Sequence, residues 1–292
     1  MFWATRCAIL LLRGDFMNKL TMFQSVQDVI CESFIYETDE NLVVMDGGYF
    51  CESEKLFQNI KSRGGHVTDW FFSHAHDDHI GAFTKLLEEH GDEIEIDTIY
   101  YNFPSDVLLE TYEPYPFDDL DMPEFLKKFH NLCKTHAKKV ITPKKGDIYK
   151  FPQFEIHVLR EPNLDITCDY YNNSTVVYRL DTNSKRVMFL GDLGKEAGEE
   201  LAESVPAEEL KSDYVQMAHH GQKGAEKPLY DLINPDYCFW CTPSWLWDNI
   251  GKEGHYDSGD FHTIRTRGWM SEIGIKRHYV NKDGDCTIDL GM

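Results

Sequence analysis

The chain has 292 residues, 42% of them hydrophobic and 27% charged, with a formal net charge of −21. That composition suits a globular protein long enough to bury a large core. The charge argues against a polyanion as main partner, because nucleic-acid binding draws on Lys and Arg against phosphates, and no apolar run reaches the ~18–20 residues that a membrane span needs.

The opening stretch, MFWATRCAILLLRGDFMNKL, resembles a secretion signal only weakly. Its apolar run is short, Arg13 and Asp15 follow at once, and no small-residue cleavage site is evident. We expect residues 1–20 to be a poorly packed extension, with Met17 or Met22 as alternative starts, and residues 21–292 to form one domain. The eight cysteines are scattered along the chain. A disulfide scaffold is therefore not expected, and a reducing, cytoplasmic setting is. Cys238 and Cys241 have CxxC spacing but fall in a strand-like run, where positions three apart face opposite ways. They are expected to be core residues rather than paired metal ligands.

Strand signals come first: LTMFQ from Leu20, ESFIYETD from Glu32 and NLVVMDGG from Asn41. The run SEKLFQNIKSRGG predicts a helix with Ser53 as N-cap, Leu56, Phe57 and Ile60 on one face, and a glycine stop. The buried strand VTDWFFS follows, then a polar cluster, then a helix from Gly81. After the strand IDTIYYN, residues 103–125 are acidic, aromatic and interrupted by proline, and read as a surface excursion into a helix from Met122.

The second half opens with short strands around a Gly-Asp turn. A hairpin turning at Thr182–Ser184 comes next, then a helix near Gly194–Val205, the strand DYVQMAHHG, a short helix at KPLYDLI and the strand DYCFWCTP. A last helix is expected over residues 262–273, and HYVNKDGDCTIDL reads as a closing hairpin. Strands alternate with helices in both halves, which fits an α/β protein with two sheets covered by outer helices.

The polar cluster carries the chemistry. WFFSHAHDDHIGAF places three histidines and two aspartates within the six residues His74 to His79. Imidazole and carboxylate are the ligands of choice for zinc and its neighbours. His74 and His76 are two apart with small Ala75 between them. Asp78 and His79 follow too closely to reach the same ion from the same side. The spacing therefore suggests two ions, one on His74 and His76, the other on Asp78 and His79.

This cluster resembles the HxHxDH motif of the metallo-β-lactamase superfamily, and the resemblance runs from about residue 20 to the end. NLVVMDGG looks like the strand end where Asp46 and Gly47 shape the floor of the site, FLGDLG like the motif that supplies a bridging carboxylate, Asp192, and AHHG, with His219 and His220, like a later site motif. NNSTVVYRL, VMFLGDLG and DYVQMAHHG look most like the branch that holds the hydrolase domain of ComEC competence proteins, with phosphorylcholine esterases also similar. The resemblance implies a four-layer αββα sandwich of the metallo-β-lactamase type, with the metals at one edge between the sheets.

In one place the chain departs from the lactamase and glyoxalase pattern. Residues 168–177 hold no histidine for the first ion, which leaves Asp169, Asn172, Asn173 or water in its place and a one-metal site open. The final ligand is expected at His262, before the terminal helix, with His255 as rival. His66, His90, His130, His136, His157 and His278 belong to no constellation and are expected at the surface or in the core.

The implied activity is that of a metallo-hydrolase, phosphoesters first among its substrates. Two divalent ions, zinc foremost with Mn2+ or Fe2+ as alternatives, would share a water and lower its pKa toward ~7. Asp192 would bridge them, Asp78 would orient the water as well as bind metal, and His219 or His220 would meet the substrate oxyanion or protonate the leaving group. The expected partner is a small molecule. A nuclease is the alternative, disfavoured by the charge; a non-hydrolytic iron-bearing redox or dioxygenase protein is another. β-Lactam hydrolysis is not expected without the missing histidine. The loop TPSWLWDNIGKEGHYDSGDF is expected to border the metal cleft with Trp245, Trp247 and Tyr256, and Asp248, Asp257 and Asp260 beside them.

Overall fold

Among the described residues, fourteen strands form two seven-stranded sheets. The computed structural model describes residues 17–113 and 120–291; the extension through residue 16, with Cys7, and the middle of the acidic excursion, residues 114–119, lie outside the described residues.

The first sheet holds β1 (Asn18–Met22), β2 (Phe34–Thr38), β3 (Leu42–Met45), β4 (His66–Phe71), β5 (Glu95–Tyr100) and β6 (Ala137–Ile141). The second holds β7 (Ile148–Lys150), β8 (Phe154–Arg160), β9 (Val177–Thr182), β10 (Arg186–Phe189), β11 (Tyr214–Gln216), β12 (Tyr237–Trp240) and β13 (Arg277–Val280). The last strand, β14 (Cys286–Asp289), crosses back and pairs with β1, giving the orders β14-β1-β2-β3-β4-β5-β6 and β13-β12-β11-β10-β9-β8-β7. The expected closing hairpin is therefore not formed: β13 pairs with β12 and β14 with β1. A short turn at Asn281–Asp283 and Gly284, whose φ of 125° suits glycine, carry the chain from one sheet to the other.

Three buried clusters define the layers. Trp70, Phe72, Phe83 and Phe129 lie between the first sheet and its helices. Phe34, Phe71, Tyr178 and Phe239 lie between the sheets. Leu190, Leu201, Trp240 and Met270 lie between the second sheet and its helices. This is the αββα sandwich. Cys238 packs in the outer cluster and Cys241 in the cluster between the sheets, the opposite facing that strand alternation demands.

Each sheet changes character at its middle. The pairs from β14 through β3 are antiparallel and those from β3 through β6 parallel. In the second sheet β7 through β10 pair antiparallel and β10 through β13 parallel. Ligand sites in such sheets form beyond the carboxyl ends of parallel strands, where the topology switches. Here those ends are the loops after β3, β4, β10, β11 and β12. The loop before β2, which runs opposite to β3, reaches the same edge. Among the described residues no helix is long and apolar enough to cross a membrane.

Candidate metal centre

The loop after β4 is anchored by buried Trp70, Phe71 and Phe72. The following helix spans Asp77–His90 and starts four residues before the expected Gly81. His76 stands at its N-cap, and Asp77 and Asp78 fall in its first turn, where the helix dipole favours negative charge. One short loop and one helical turn thus present all the motif's side chains. His74 is buried, with Nδ1 3.0 Å from Ser73 Oγ and Nε2 2.9 Å from His76 Nδ1. His79 is buried, with Nδ1 2.9 Å from Asp46 Oδ2. Asp46 is itself held by the Ser73 backbone N–H and hydroxyl, each at 2.8 Å. Such outer partners fix the ring orientation and leave the other nitrogen free for a ligand role.

The second sheet supplies the rest. Gly191, at φ 49°, lets the loop after β10 press on the first: a Cβ there would sit 2.7 Å from Ser73 Cβ. Asp192 follows. Its Oδ1 lies 3.1 Å from His79 Nε2 and 3.2 Å from His220 Nε2, and its Oδ2 lies 3.8 Å from Nε2 of both His74 and His219. His220 is buried; its Nδ1 faces the Cys241 carbonyl at 3.0 Å, and its Nε2 is 2.9 Å from Asp78 Oδ2. His219 is turned by its Nδ1 bond to the Lys223 carbonyl, which leaves Nε2 toward Asp192. Asp46, His219 and His220 all have left-handed backbone, with φ of 53°, 50° and 56°. Strain of this kind costs ~1–3 kcal/mol per residue and tends to gather at functional sites.

Among the described residues two groups of ligand atoms result, each with all its atoms within 4.8 Å of one another: His74, His76 and Asp192, and Glu32, His79, Asp192 and His220. The electrostatics differ between them. Burial, reinforced by neighbouring rings, lowers His74, and burial lowers His76 to about 4. Burial alone would lower His79 and His220 too. Asp192 and Asp78 overturn it, raising His79 well above the usual imidazole range and His220 to about 10. Burial would raise Asp192, but His220 and His79 hold it well below the carboxylate range. Burial raises Glu32. The carboxylates around His79 and His220 thus favour positive charge in this pocket.

The residues fit divalent ions. Asp192 Oδ1 is buried and has no well-directed hydrogen bond, and imidazole nitrogens converge on it from two sides. His74, His76 and Asp192 could hold one ion, and His79, His220 and Asp192 a second.

The structure revises several expectations. His262 is exposed at the start of the Thr263–Ile273 helix and belongs to neither group. His255 is exposed too and pairs with Glu253 at 3.0 Å. His220, expected to act on substrate, lies in the second group, where the left-handed turn at the end of β11 turns its ring inward. Asn173 does not stand in for the missing histidine: its amide is spent on the Cys168 carbonyl, Glu196 and the Ala197 N–H. Asn172 donates to Asp169 at 2.8 Å. His219 approaches the first group instead. Glu32 was legible only as the first residue of an expected strand; no local motif marks it.

A cavity of about 750 Å³ opens on the site, lined by His76, Asp78, Asp192, His219 and His220 and walled by Val29, Ile30, Tyr49, Phe50, Leu120, Tyr171 and Trp245. Tyr171 stacks on His76 at 4.8 Å. Trp245 is the only one of the three expected aromatic residues on this wall. Trp247 packs edge-on against Trp240 at 5.2 Å with the Arg267 guanidinium 4.1 Å over its face, and Tyr256 is exposed. The face of Trp247 is thus covered by a cation of the protein itself.

A family model described as the metallo-beta-lactamase superfamily matches residues 26–285. ComE operon protein 3 of Bacillus subtilis (strain 168) is 27% identical over 153 residues, 52% of this chain and 17% of that protein. The match thus spans under a fifth of that relative's length. Among solved structures, CmlA, a diiron β-hydroxylase from Streptomyces venezuelae, aligns with TM-score 0.59 and 11% identity over 95% of this chain and 55% of that one. The metallo-beta-lactamase fold protein YhfI from Bacillus subtilis aligns with TM-score 0.55 and 13% identity over 93% and 99%. Unliganded yeast PDE1 aligns with TM-score 0.50 and 13% identity over 94% and 100%. At these identities the structural likeness is one of fold.

Proposed function

The chain belongs to the metallo-β-lactamase superfamily, and from that premise we propose that it is a hydrolase that uses two divalent cations to cleave a small phosphoester. The observation that carries this reading is the pair of ligand groups joined through Asp192 at the floor of one cavity. Bound there, two such cations would neutralise a phosphoryl group and lower the pKa of an attacking water toward ~7.

The chain's own residues do the rest. Asp192 turns one oxygen to each group and sets their spacing. Asp78, on the cavity wall, orients the water. His219 is fixed by the Lys223 carbonyl, with Nε2 available to the first cation or, when protonated, to the leaving oxygen. Tyr49, Phe50, Tyr171 and Trp245 exclude water and pack the alcohol part of the ester. The cavity's size lies within the ~300–1,000 Å³ usual for small-molecule sites. Its described walls carry Asp77 and Glu113 but neither lysine nor arginine. A nucleic-acid strand would meet no counter-charge beyond the cations, so a compact ester suits the cavity better than a nuclease substrate.

The test is metal analysis of protein purified without chelator, with phosphomonoesters, phosphodiesters, lactones and thioesters assayed on the same preparation. Two ions per chain and turnover of a phosphoester are expected. Two ions with turnover of lactones or thioesters alone would refute the substrate class. Coloured, iron-loaded protein that hydrolyses none of the panel would mark a redox member.

A further inference from the structure

Glu32 lies outside the motifs and inside the site. It belongs to the loop between β1 and β2, is 1% exposed, and has a carboxylate oxygen within 4.8 Å of ligand atoms of His79, Asp192 and His220. Its place is set from both sheets. Its backbone N–H donates to the Asp78 carbonyl at 3.1 Å, which ties it to the motif loop. Its Oε2 accepts from Gln216 Nε2 at 2.6 Å. Gln216 cannot turn its amide over: Oε1 accepts from the Leu190 N–H at 2.7 Å, and Nε2 also donates to the Met217 carbonyl at 2.8 Å. Leu190 and Met217 introduce the Asp192 and His219–His220 loops. One glutamine thus braces both second-sheet loops and aims Glu32 at the buried group.

We propose that Glu32 is a ligand of the second cation, completing a buried position of two imidazoles with the carboxylates of Asp192 and Glu32, and Asp78 beside them. The proposal rests on the two-cation reading above. Two observations support it. Asp192 Oδ1, buried at the centre of this group, lacks a well-directed hydrogen bond. Glu32 is itself buried, and its carboxylate oxygen lies among the ligand atoms of His79, Asp192 and His220, all within 4.8 Å of one another. The donor set has a consequence for the metal. Tetrahedral zinc is satisfied by four ligands, whereas manganese and iron take more, with carboxylate oxygen among those they prefer. The buried position therefore favours Mn2+ or Fe2+, and the imidazole-rich position on His74 and His76 favours zinc.

The experiment compares wild type, Glu32→Gln and Gln216→Leu as full-length chains. Bound zinc, manganese and iron are counted, and Mn2+ and Zn2+ affinities of the stripped proteins are measured by chelator competition, with melting temperatures alongside. Glu32→Gln keeps the size of the side chain and removes its charge. It should weaken Mn2+ binding at one position by roughly 10–100-fold or more while one zinc stays bound, and its stripped form should melt no lower than stripped wild type. Gln216→Leu should melt lower and weaken Mn2+ binding, but by less than Glu32→Gln does, because the carboxylate remains. Wild-type affinities for both ions in Glu32→Gln would overturn the assignment while leaving the two-cation reading intact. Equal metal loss in Gln216→Leu would overturn it also, because the brace rather than the carboxylate would then be the cause. If Glu32→Gln does not fold, Glu32→Asp takes its place: a ligand role predicts weaker Mn2+ binding from the shorter reach, and unchanged binding overturns it. A single ion in wild type would instead overturn the two-cation reading itself.

Discussion

The two groups of ligand atoms share Asp192 and little else. The first, His74 and His76, borders the cavity and is built from rings that burial keeps neutral. The second, His79 and His220 with Glu32, is made of buried side chains and meets the cavity through His220, and carboxylates draw protons onto its rings. The same side chain thus has opposite proton affinities a few ångströms apart, decided by whether desolvation or anionic neighbours win. The lesson concerns metal loading: the first position takes a cation without giving up protons, and the second must exchange protons for its cation.

Removing what the two positions share should have the largest effect. Asp192→Asn should lose ions from both groups and lower turnover by orders of magnitude, with the fold retained by circular dichroism. Metal content and kcat measured together decide it; near-wild-type activity would break the two-position picture.

The next effect is loss of one ion. His220→Ala should deplete the buried position alone, whereas His262→Ala and His255→Ala should keep wild-type stoichiometry, since neither side chain joins a ligand group. Metal loss in His262→Ala with none in His220→Ala would reverse our placement of the last ligand.

Proton exchange sharpens the contrast further. With His220 raised to about 10, this ring is protonated at pH 7 and must release its proton when the cation binds, so affinity at the second position should rise as pH rises toward 10. With His76 lowered to about 4, the first position should be indifferent to pH until the medium approaches that value from above, where protonation begins to compete. Calorimetric titration in buffers of different ionisation enthalpy counts the released protons. Equal proton release in both binding events would remove the distinction.

The smallest effects concern the cavity wall beside the first position. Trp245→Ala should lower kcat/KM on an ester with an aromatic or cationic alcohol by roughly 2–30-fold, the equivalent of ~0.5–2 kcal/mol, with less change on a small alkyl ester and little change in melting temperature. Trp247→Ala should do the opposite. It removes the ring that meets Trp240 edge-on and lies under the Arg267 guanidinium, and should cost about 2–4 kcal/mol of stability with kcat/KM per folded molecule kept. A selective kinetic loss in Trp247→Ala would return that ring to the substrate side.

Much of this was legible in the chain. The apolar run through Phe72 and the histidines behind it marked a strand end loaded with ligands, because alternating burial and metal-binding side chains are local properties. The alternation of strands and helices gave the layers, and the same alternation placed Cys238 and Cys241 on opposite faces. The later carboxylate and histidine pair, Asp192 and His219–His220, stood out once the family resemblance was recognised.

What the sequence determined by itself was therefore short in range: which residues form strands and helices, and which loop carries HAHDDH. Tertiary structure decided the rest. It sent β14 to the first sheet instead of back onto β13, because pairing across the sandwich is not written in the turn between them. It placed the His220 ring in the second group and His262 at the surface, through a left-handed turn at the packed end of β11. It separated Trp245 from Trp247 by two residues of helical turn, one ring toward the cavity and one toward Arg267. It brought Glu32 under the site from a loop with no motif, since a ligand supplied from 47 residues before His79 is defined by where the chain folds and by nothing in its own neighbourhood.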